Sequence, residues 1–483
     1  MPRPMSCSCV AATMLAAAYA AAPAVSWAAT HSGAKRAAVA AVDDHATALI
    51  GLSDQIWEFA ETALREHRSA KVLADFAEQH GFTVERGVSH MPTAFVASYG
   101  SGRPVIAIMG EYDALPGVSQ QAVPEQRPLA EGAAGHACGH NLFGAASLGA
   151  ALAVKQQIEA GRLQGTVRFY GTPAEEAVGG KTYMARDGVF NDVDVMFAWH
   201  PGDITQADMT SSQAMVDAIV EFKGRSAHAA ADPWNGRSAA DGAEAFAYGV
   251  NMMREHMKQS SRVHYVIANG GEVPNVVPEY AKVWIWARDW QRKEVEELLT
   301  RLRKIADGAA LMTETSATFA IQNGSWEVLT NPPGAKLLDA NLRWIGAPAF
   351  TAQEHEFATQ IQRATNVPAV GMDGSIRPLE GQEPEGGSTD VGDVSWVVPT
   401  LNLTVATAPK DAPWHAWPVV ATGGMSIGHK GMLVAAKVLA ATMVDLYEKP
   451  AALREVRAAF EKQRGDVVFK AYVPDGPPPL PAE

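Results

Sequence analysis

Cys138 and His140 stand two residues apart in the stretch GHACGHNLFG, residues 135–144. A thiolate and an imidazole at that spacing can hold a divalent ion. Three more places carry groups of the same kind. Glu175 and Glu176 close TPAEE, His200 lies in AWHP, and His415 lies in APWHAWP near the C-terminus. Each is ordinary alone: paired glutamates at a turn are commonly solvated charge, and one histidine after a strand is commonly structural. Taken together they form a donor set for two metal ions, with positions left open for water and substrate. Adjacent side chains near a strand end diverge, so one glutamate can ligate while its neighbour faces the attacking water. A carboxylate placed there can take the water's proton and pass it to a leaving amine. The chemistry implied is hydrolysis of an amide. Thiolate plus imidazole favours zinc or another late transition metal.

Such groups need a scaffold that brings distant segments to one edge. PVIAIMGEYDALPG reads as a buried strand, residues 105–109, ending in a polar loop. NLFGAASLGAALAVKQQI opens a small-residue helix directly after the Cys/His cluster, while TVRFYGTPAEE and VDVMFAWHP are strands running into acids and a histidine. Residues 43–81 read as two helices, from Leu49, Leu52, Ile56 and Phe59 and then Val72, Leu73 and Phe76 at helical spacing. Strands alternating with helices imply an α/β sheet, and such sheets build their sites past the strand C-termini. The pattern changes near Ser211. Strands at 214–223, 261–268, 280–288 and 313–322, with helices at 238–258 and 291–309, give the order β-α-β-β-α-β. This is a ferredoxin-like α+β insertion at 211–325, splitting a catalytic domain into 29–210 and 326–449. The second part carries the strand TLNLTVAT and a final helix from about 427 to 448. Residues 450–483 form an extension whose end, PDGPPPLPAE, reads as extended or disordered.

The N-terminus has the make-up of a secretory signal peptide. One Arg precedes an apolar run from Val10 to Ala22, too short to span a bilayer, and Ser26 and Ala28 suit cleavage after Ala28. The mature chain is then expected to be periplasmic or secreted and not membrane-bound. Cleavage removes Cys7 and Cys9, so of three cysteines only Cys138 remains and no intrachain disulfide can form. A lone thiol in an oxidising compartment is a liability unless buried or bound, which favours a ligand role. The net charge of -13 and the lack of a basic stripe speak against a nucleic-acid partner.

GEYDALPG, GHACGHN, GTPAEE, AWHP, GRSAHAAADPWNGRSAADG, GGEVPNVVPE and GGSTDVGDVSW occur in that order. The ordered set resembles the M20 metallopeptidase family in its amidohydrolase branch, over nearly all of the chain after the leader. The resemblance implies a two-metal amidohydrolase whose catalytic domain, a mixed sheet flanked by helices, carries an inserted dimerisation or lid domain. Matched motif by motif, Cys138, His140, Glu176, His200 and His415 are the metal ligands, Glu175 the general base, and Asp113 the residue orienting a ligand. His228 matches a histidine that reaches the substrate carbonyl, often in the partner subunit's site. Asn275 and Arg288 match groups gripping the substrate carboxylate, for which a planar guanidinium is suited, and Ser388 is a further substrate contact.

Asn141 departs from the Asp common in this branch and points to a subgroup. His429, in SIGHKGM, opens a helix and is expected to pack or cap; His415 is preferred. The expected cofactors are two divalent ions, zinc or manganese, with cobalt also compatible. The expected substrates are N-acyl or N-aroyl amino acids of the p-aminobenzoyl-glutamate type, with dipeptides as the alternative and a homodimer as the assembly. An exported small-molecule binding protein would need no paired acids beside such a donor set, and an inactive relative would not keep all five ligands and the base. Trp234, Trp326, Trp414 and Trp417 are candidates for an aromatic pocket.

Overall fold

The computed structural model describes residues 31–379 and 387–481; the leader and its cleavage site at Ala28 lie outside the described residues. Helices α1 (Gly33–Asp44), α2 (Ala46–Phe59) and α3 (His67–Gln79) come first. Strands β1 (Thr83–Arg86), β2 (Phe95–Ser101) and β3 (Val105–Gly110) follow, then α4 (His140–Glu159), β4 (Gly165–Gly171), α5 (Gly180–Arg186), β5 (Val195–Gly202) and β6 (Gln206–Ala207). The next segment is β7 (Ala214–Lys223), α6 (Ala239–Arg254), β8 (Arg262–Asn269), β9 (Tyr280–Asp289), α7 (Arg292–Met312) and β10 (Ser316–Ser325). The chain ends with α8 (Pro332–Ile345), α9 (Ala352–Ala364), α10 (Val391–Val397), β11 (Thr400–Ala406), α11 (Trp417–Gly423), α12 (Ser426–Glu448) and α13 (Pro450–Arg464).

Seven strands form a mixed sheet in the order β1-β2-β4-β3-β5-β11-β6. Its centre, β4-β3-β5-β11, is parallel, so four strand C-termini share one edge. β3 reads VIAIMG and is buried at every position, as a parallel strand covered on both faces must be. Helix α4 packs on this sheet with small residues. A Cβ on Gly144 would meet the Glu111 carbonyl at 2.8 Å, which fixes how closely α4 approaches the end of β3.

The second sheet is antiparallel, in the order β10-β7-β9-β8, with α6 and α7 on one face. Alternation decides which face. Val216, Ala218, Val220, Val283, Ile285 and Ala287 are buried in its own apolar cluster, while Met215, Asp217, Trp284, Trp286 and Arg288 point to the other side.

One expectation needs correcting and two gain detail. The two helices expected over 43–81 are α2 and α3; α1 precedes them, unforeseen because its alanines continue the composition of the leader, and it buries Ala34, Ala38, Ala41 and Val42 and pairs Lys35 with Asp445 at 2.7 Å. The helix ending at Glu448 is not the last. α13 follows and buries Val456 and Phe460, and Tyr472 beyond it enters the apolar cluster of the second sheet. Residues 474–481 form no helix or strand, in keeping with the extended tail expected, and Arg186 donates to the carbonyls of Pro474 and Gly476 at 3.1 and 2.8 Å.

Candidate active site

The four aligned strand ends deliver the predicted groups to one place. Asp113 follows β3, Cys138 and His140 sit at the start of α4, Glu175 and Glu176 follow β4, His200 lies near the end of β5, and His415 follows β11. Between Cys138 and His140, Gly139 adopts φ 77°, and a Cβ there would meet Pro201 at 2.9 Å. Only glycine turns the backbone so tightly here, and the turn places the thiol and imidazole on one side. Ala174 and His415 also have positive φ, 61° and 55°. For residues with a Cβ this costs on the order of 1–2 kcal/mol. Glu66 accepts from the Ala174 N–H at 2.9 Å and so fixes the turn that aims the paired acids.

Among the described residues donor atoms gather in three triads: Cys138, His140 and His200; Cys138, Glu176 and His415; and Glu111, His140 and Glu175. His140 Nδ1 meets Asp113 Oδ1 at 2.9 Å, which leaves Nε2 as the group presented to an ion. The second Asp113 oxygen accepts the Glu176 N–H at 2.9 Å, so one carboxylate orients two ligands. His200 Nδ1 lies 2.7 Å from the Pro201 carbonyl, and its Nε2 lies 3.4 Å from Cys138 Sγ. That spacing suits a thiolate and an imidazole sharing one tetrahedral ion, with bonds of about 2.3 and 2.0 Å. His415 Nε2 is 3.6 Å from Glu176 Oε2.

The electrostatics fit a cation. His140 Nε2 and Glu176 Oε1 are buried without a hydrogen-bond partner. Burial pushes the Glu176 carboxyl up to about 7, with Asp113 adding to the effect. Glu175 is raised well above its ordinary value by burial and by the charges of Glu111, Glu176 and Asp390. Burial raises the Cys138 thiol as well, and holds His200 down to about 4, hence neutral and ready to ligate. Acids and a thiol crowded in this way are relieved by a divalent ion, which inverts the local preference for protonation. The residues fit two ions.

Other predicted residues fall into three groups. Arg288 and Ser388 line the same cavity as the ligands, a space of about 820 Å³. Among the described residues Ser388 Oγ is buried without a partner and Arg288 makes no ion pair, its guanidinium lying over the Trp286 ring at 5.0 Å. His228 and Asn275 are exposed and do not line that cavity within one chain. The remaining residues serve the scaffold. Asn141 donates to Ser53 Oγ and the Gly423 carbonyl, His136 faces the Ile56 carbonyl, and His429 meets Asp54 at 2.8 Å.

Of the four candidate tryptophans, Trp414 lines the cavity, with its ring 6.0 Å from His200. Trp326 is core, Trp234 is 71% exposed, and Trp417 borders a smaller adjoining pocket. The aromatic wall is made instead by Trp284 and Trp286. The alternation of KVWIWAR already put both on one face with Arg288. Sequence reasoning also passed over Glu111 and Lys181, both fully buried, with Lys181 Nζ 2.7 Å from Glu111 and 2.6 Å from Asp390.

Residues 107–418 match the family described as peptidase family M20/M25/M40. The chain is 39% identical over 458 residues to a p-aminobenzoyl-glutamate hydrolase polypeptide of Escherichia coli K12, covering 89% of this chain and 95% of the relative. It is 31% identical to the Xaa-Arg dipeptidase of Mus musculus, covering 88% and 92%. A dinuclear metal-binding peptidase of the M20 family from Bacillus subtilis superposes with a TM-score of 0.58 at 19% identity, over 84% of this chain and 99% of that one. The aminobenzoyl-glutamate utilization protein from Klebsiella pneumoniae gives the same score and identity, over 84% and 98%; these two likenesses speak for the fold. The motifs follow one another as that ancestry requires, and the chain belongs to peptidase family M20/M25/M40, a metal-dependent amidohydrolase.

Proposed function

We propose that this chain cleaves the amide bond between an acyl or aroyl group and an amino acid, with p-aminobenzoyl-glutamate as the type substrate. One observation carries the reading: the donor triads and Glu175 open into a cavity whose facing wall holds Arg288, half-buried and without an acidic partner among the described residues, beside Trp284 and Trp286. A planar guanidinium binds a carboxylate at two points, and an aromatic wall suits an aroyl group. The Escherichia coli relative is named for this substrate.

Cys138, His140, Glu176, His200 and His415 hold two divalent ions, zinc or manganese, which when bound polarise the amide carbonyl and acidify water. Glu175 takes the proton of the attacking water and returns it to the leaving amine. Asp113 holds His140 in the tautomer that presents Nε2, and Ser388 and Arg288 orient the substrate. A dipeptide is the second reading. Asp217, half-buried on the same wall and accepting from Trp284 Nε1, would suit an amino group.

His228 and Asn275, exposed on the segment of the second sheet, complete the site of a neighbouring copy in a homodimer. Exposed Val266 and Ile267 on edge strand β8, with Tyr248 and Met252 on α6, support an interface on that segment. Export of the mature chain to the periplasm or medium is part of the same proposal, and N-terminal sequencing of the exported protein should begin at Ala29.

A hydrolysis panel of N-acyl amino acids, N-aroyl amino acids and dipeptides, run on the mature chain with added divalent ions, tests the reading. Aroyl amino acids should be the best substrates, and Arg288→Ala should chiefly raise KM for those with a free carboxylate. Preference for neutral amides lacking the carboxylate would overturn it.

A further inference from the structure

We propose that Asp232 is a positioning residue for His228, closing a turn that holds the imidazole as a hydrogen-bond donor at Nε2. The inference rests on the role proposed above for His228 at the substrate and adds a residue given no role so far. The turn stands on fixed ends. Arg225 and Arg237 exchange both backbone hydrogen bonds at 2.8 Å. The Ala229 N–H donates to the Asn275 carbonyl at 3.1 Å, and the Val277 N–H to the Ala227 carbonyl at 2.9 Å. His228 and Asn275, the two exposed groups assigned to the neighbouring site, therefore belong to one unit. Within it Asp232 meets His228 twice. Its Oδ1 accepts the His228 N–H at 3.1 Å, and its own N–H donates to the His228 carbonyl at 3.1 Å. Its Oδ2 accepts from Asn235 Nδ2 at 3.3 Å, which ties down the far side of the turn. The chain is folded back onto the ring, and the N–H groups of Ala230 and Ala231 donate to His228 Nδ1 at 3.2 and 3.1 Å.

A backbone amide can only donate, so Nδ1 supplies the lone pair to both N–H groups. A neutral imidazole carries one N–H, which is thereby placed on Nε2. A free ring exchanges between two tautomers and turns about its side-chain bonds. The pair of N–H groups on the turn selects one tautomer and one ring orientation. That ordering is complete before substrate arrives, and donors fixed in advance toward developing charge need no reorganisation during the reaction. His228 then offers Nε2–H to the carbonyl oxygen as negative charge builds there. It has no lone pair free to take a proton from water, so the base remains Glu175. Asp232 acts only through His228, by keeping the turn closed.

The test reads the ring directly, without substrate. Full-length mature protein loaded with zinc and isotopically labelled at the histidine ring nitrogens is followed by NMR, the His228 signals being assigned by their loss in His228→Gln. Wild type should show a proton on Nε2, none on Nδ1, and no averaging between tautomers. Asp232→Ala should return the ring to averaged signals. It should also lower kcat by up to about 10²-fold, the scale on which a misplaced group is felt, while KM, bound metal and oligomeric state change little. Asp232→Asn keeps an acceptor oxygen for the His228 N–H and should restore the single tautomer and most of the turnover. His228→Gln offers an amide N–H in place of Nε2–H and cannot act as a base, so it should keep more turnover than His228→Ala. An averaged or Nδ1-protonated ring in wild type would overturn the inference. So would wild-type ring signals in Asp232→Ala, or a loss of turnover in that variant that follows loss of metal or of the assembly. Full turnover by His228→Ala would instead overturn the role of His228 at the substrate, whatever the ring signals show of the turn.

Discussion

Glu175 and Glu176 are neighbours in the chain with different surroundings, and their work differs accordingly. Glu176 shares a donor triad with Cys138 and His415 and its N–H is held by Asp113, whereas Glu175 faces the cavity among other acids. Glu175→Gln should keep both ions and lose roughly 10²–10⁴-fold in turnover, since an amide cannot accept the proton. Glu176→Gln should lose an ion instead; metal analysis beside kcat separates the two, and reversed phenotypes would swap the assignments. The ligands were legible in the sequence because metal chemistry restricts residue type and strand ends restrict place. Glu111 and Lys181 were not. Neither matches a metal-ligand spacing, they lie far apart in the chain, and only the fold shows that they neutralise one another. Trp284 and Trp286 were legible from the alternation around Arg288 but were passed over in favour of tryptophans near the histidines.

At the scale of elements, strands and helices with strong periodicity were legible. The β-α-β-β-α-β order of the second sheet emerged with boundaries within a few residues. β1 and β2 were not foreseen: TVER is short and polar, and FVASYGS carries a glycine and little alternation. Helix α9 was missed too, and it depends on tertiary ties as much as on its own pattern. Thr351 and Glu354 form a capping box, and Glu354 also accepts from Ser426 and pairs with Lys430 at 2.6 Å on α12. Burial opposes the Glu354 charge, but Lys430, Ser426 and Thr351 outweigh it and bring the carboxyl down to about 2. A folded value below the unfolded one stabilises fully above the ordinary carboxylate range and loses that contribution as pH falls toward 2. Glu354→Gln should therefore lower stability by about 1–2 kcal/mol near neutral pH. In denaturant melts the gap to wild type should narrow steadily below about pH 4.5. A gap independent of pH would show that the charge contributes nothing.

For the whole molecule, one sheet supplies ligands and base while the other supplies Arg288 and the aromatic wall across the cavity. The division was readable as a change of strand pattern near Ser211; the facing of the two sheets was not, because it is set by packing among residues far apart in sequence, such as Trp326, Trp396 and Tyr472. The trans role proposed for His228 has its own test. His228→Ala and Glu175→Gln are each expected to be inactive, and mixing them under subunit exchange should restore part of the activity, because one site then combines both intact groups. No recovery after demonstrated exchange would place His228 in the service of its own subunit. The central claim, a metal-dependent amidohydrolase acting on aroyl amino acids, is tested most directly by one titration. Metal-free mature chain is given zinc or manganese in steps while p-aminobenzoyl-glutamate hydrolysis and bound metal are read together. Hydrolysis should be absent without metal and reach its plateau at two ions per chain; full turnover by the metal-free chain would contradict the account.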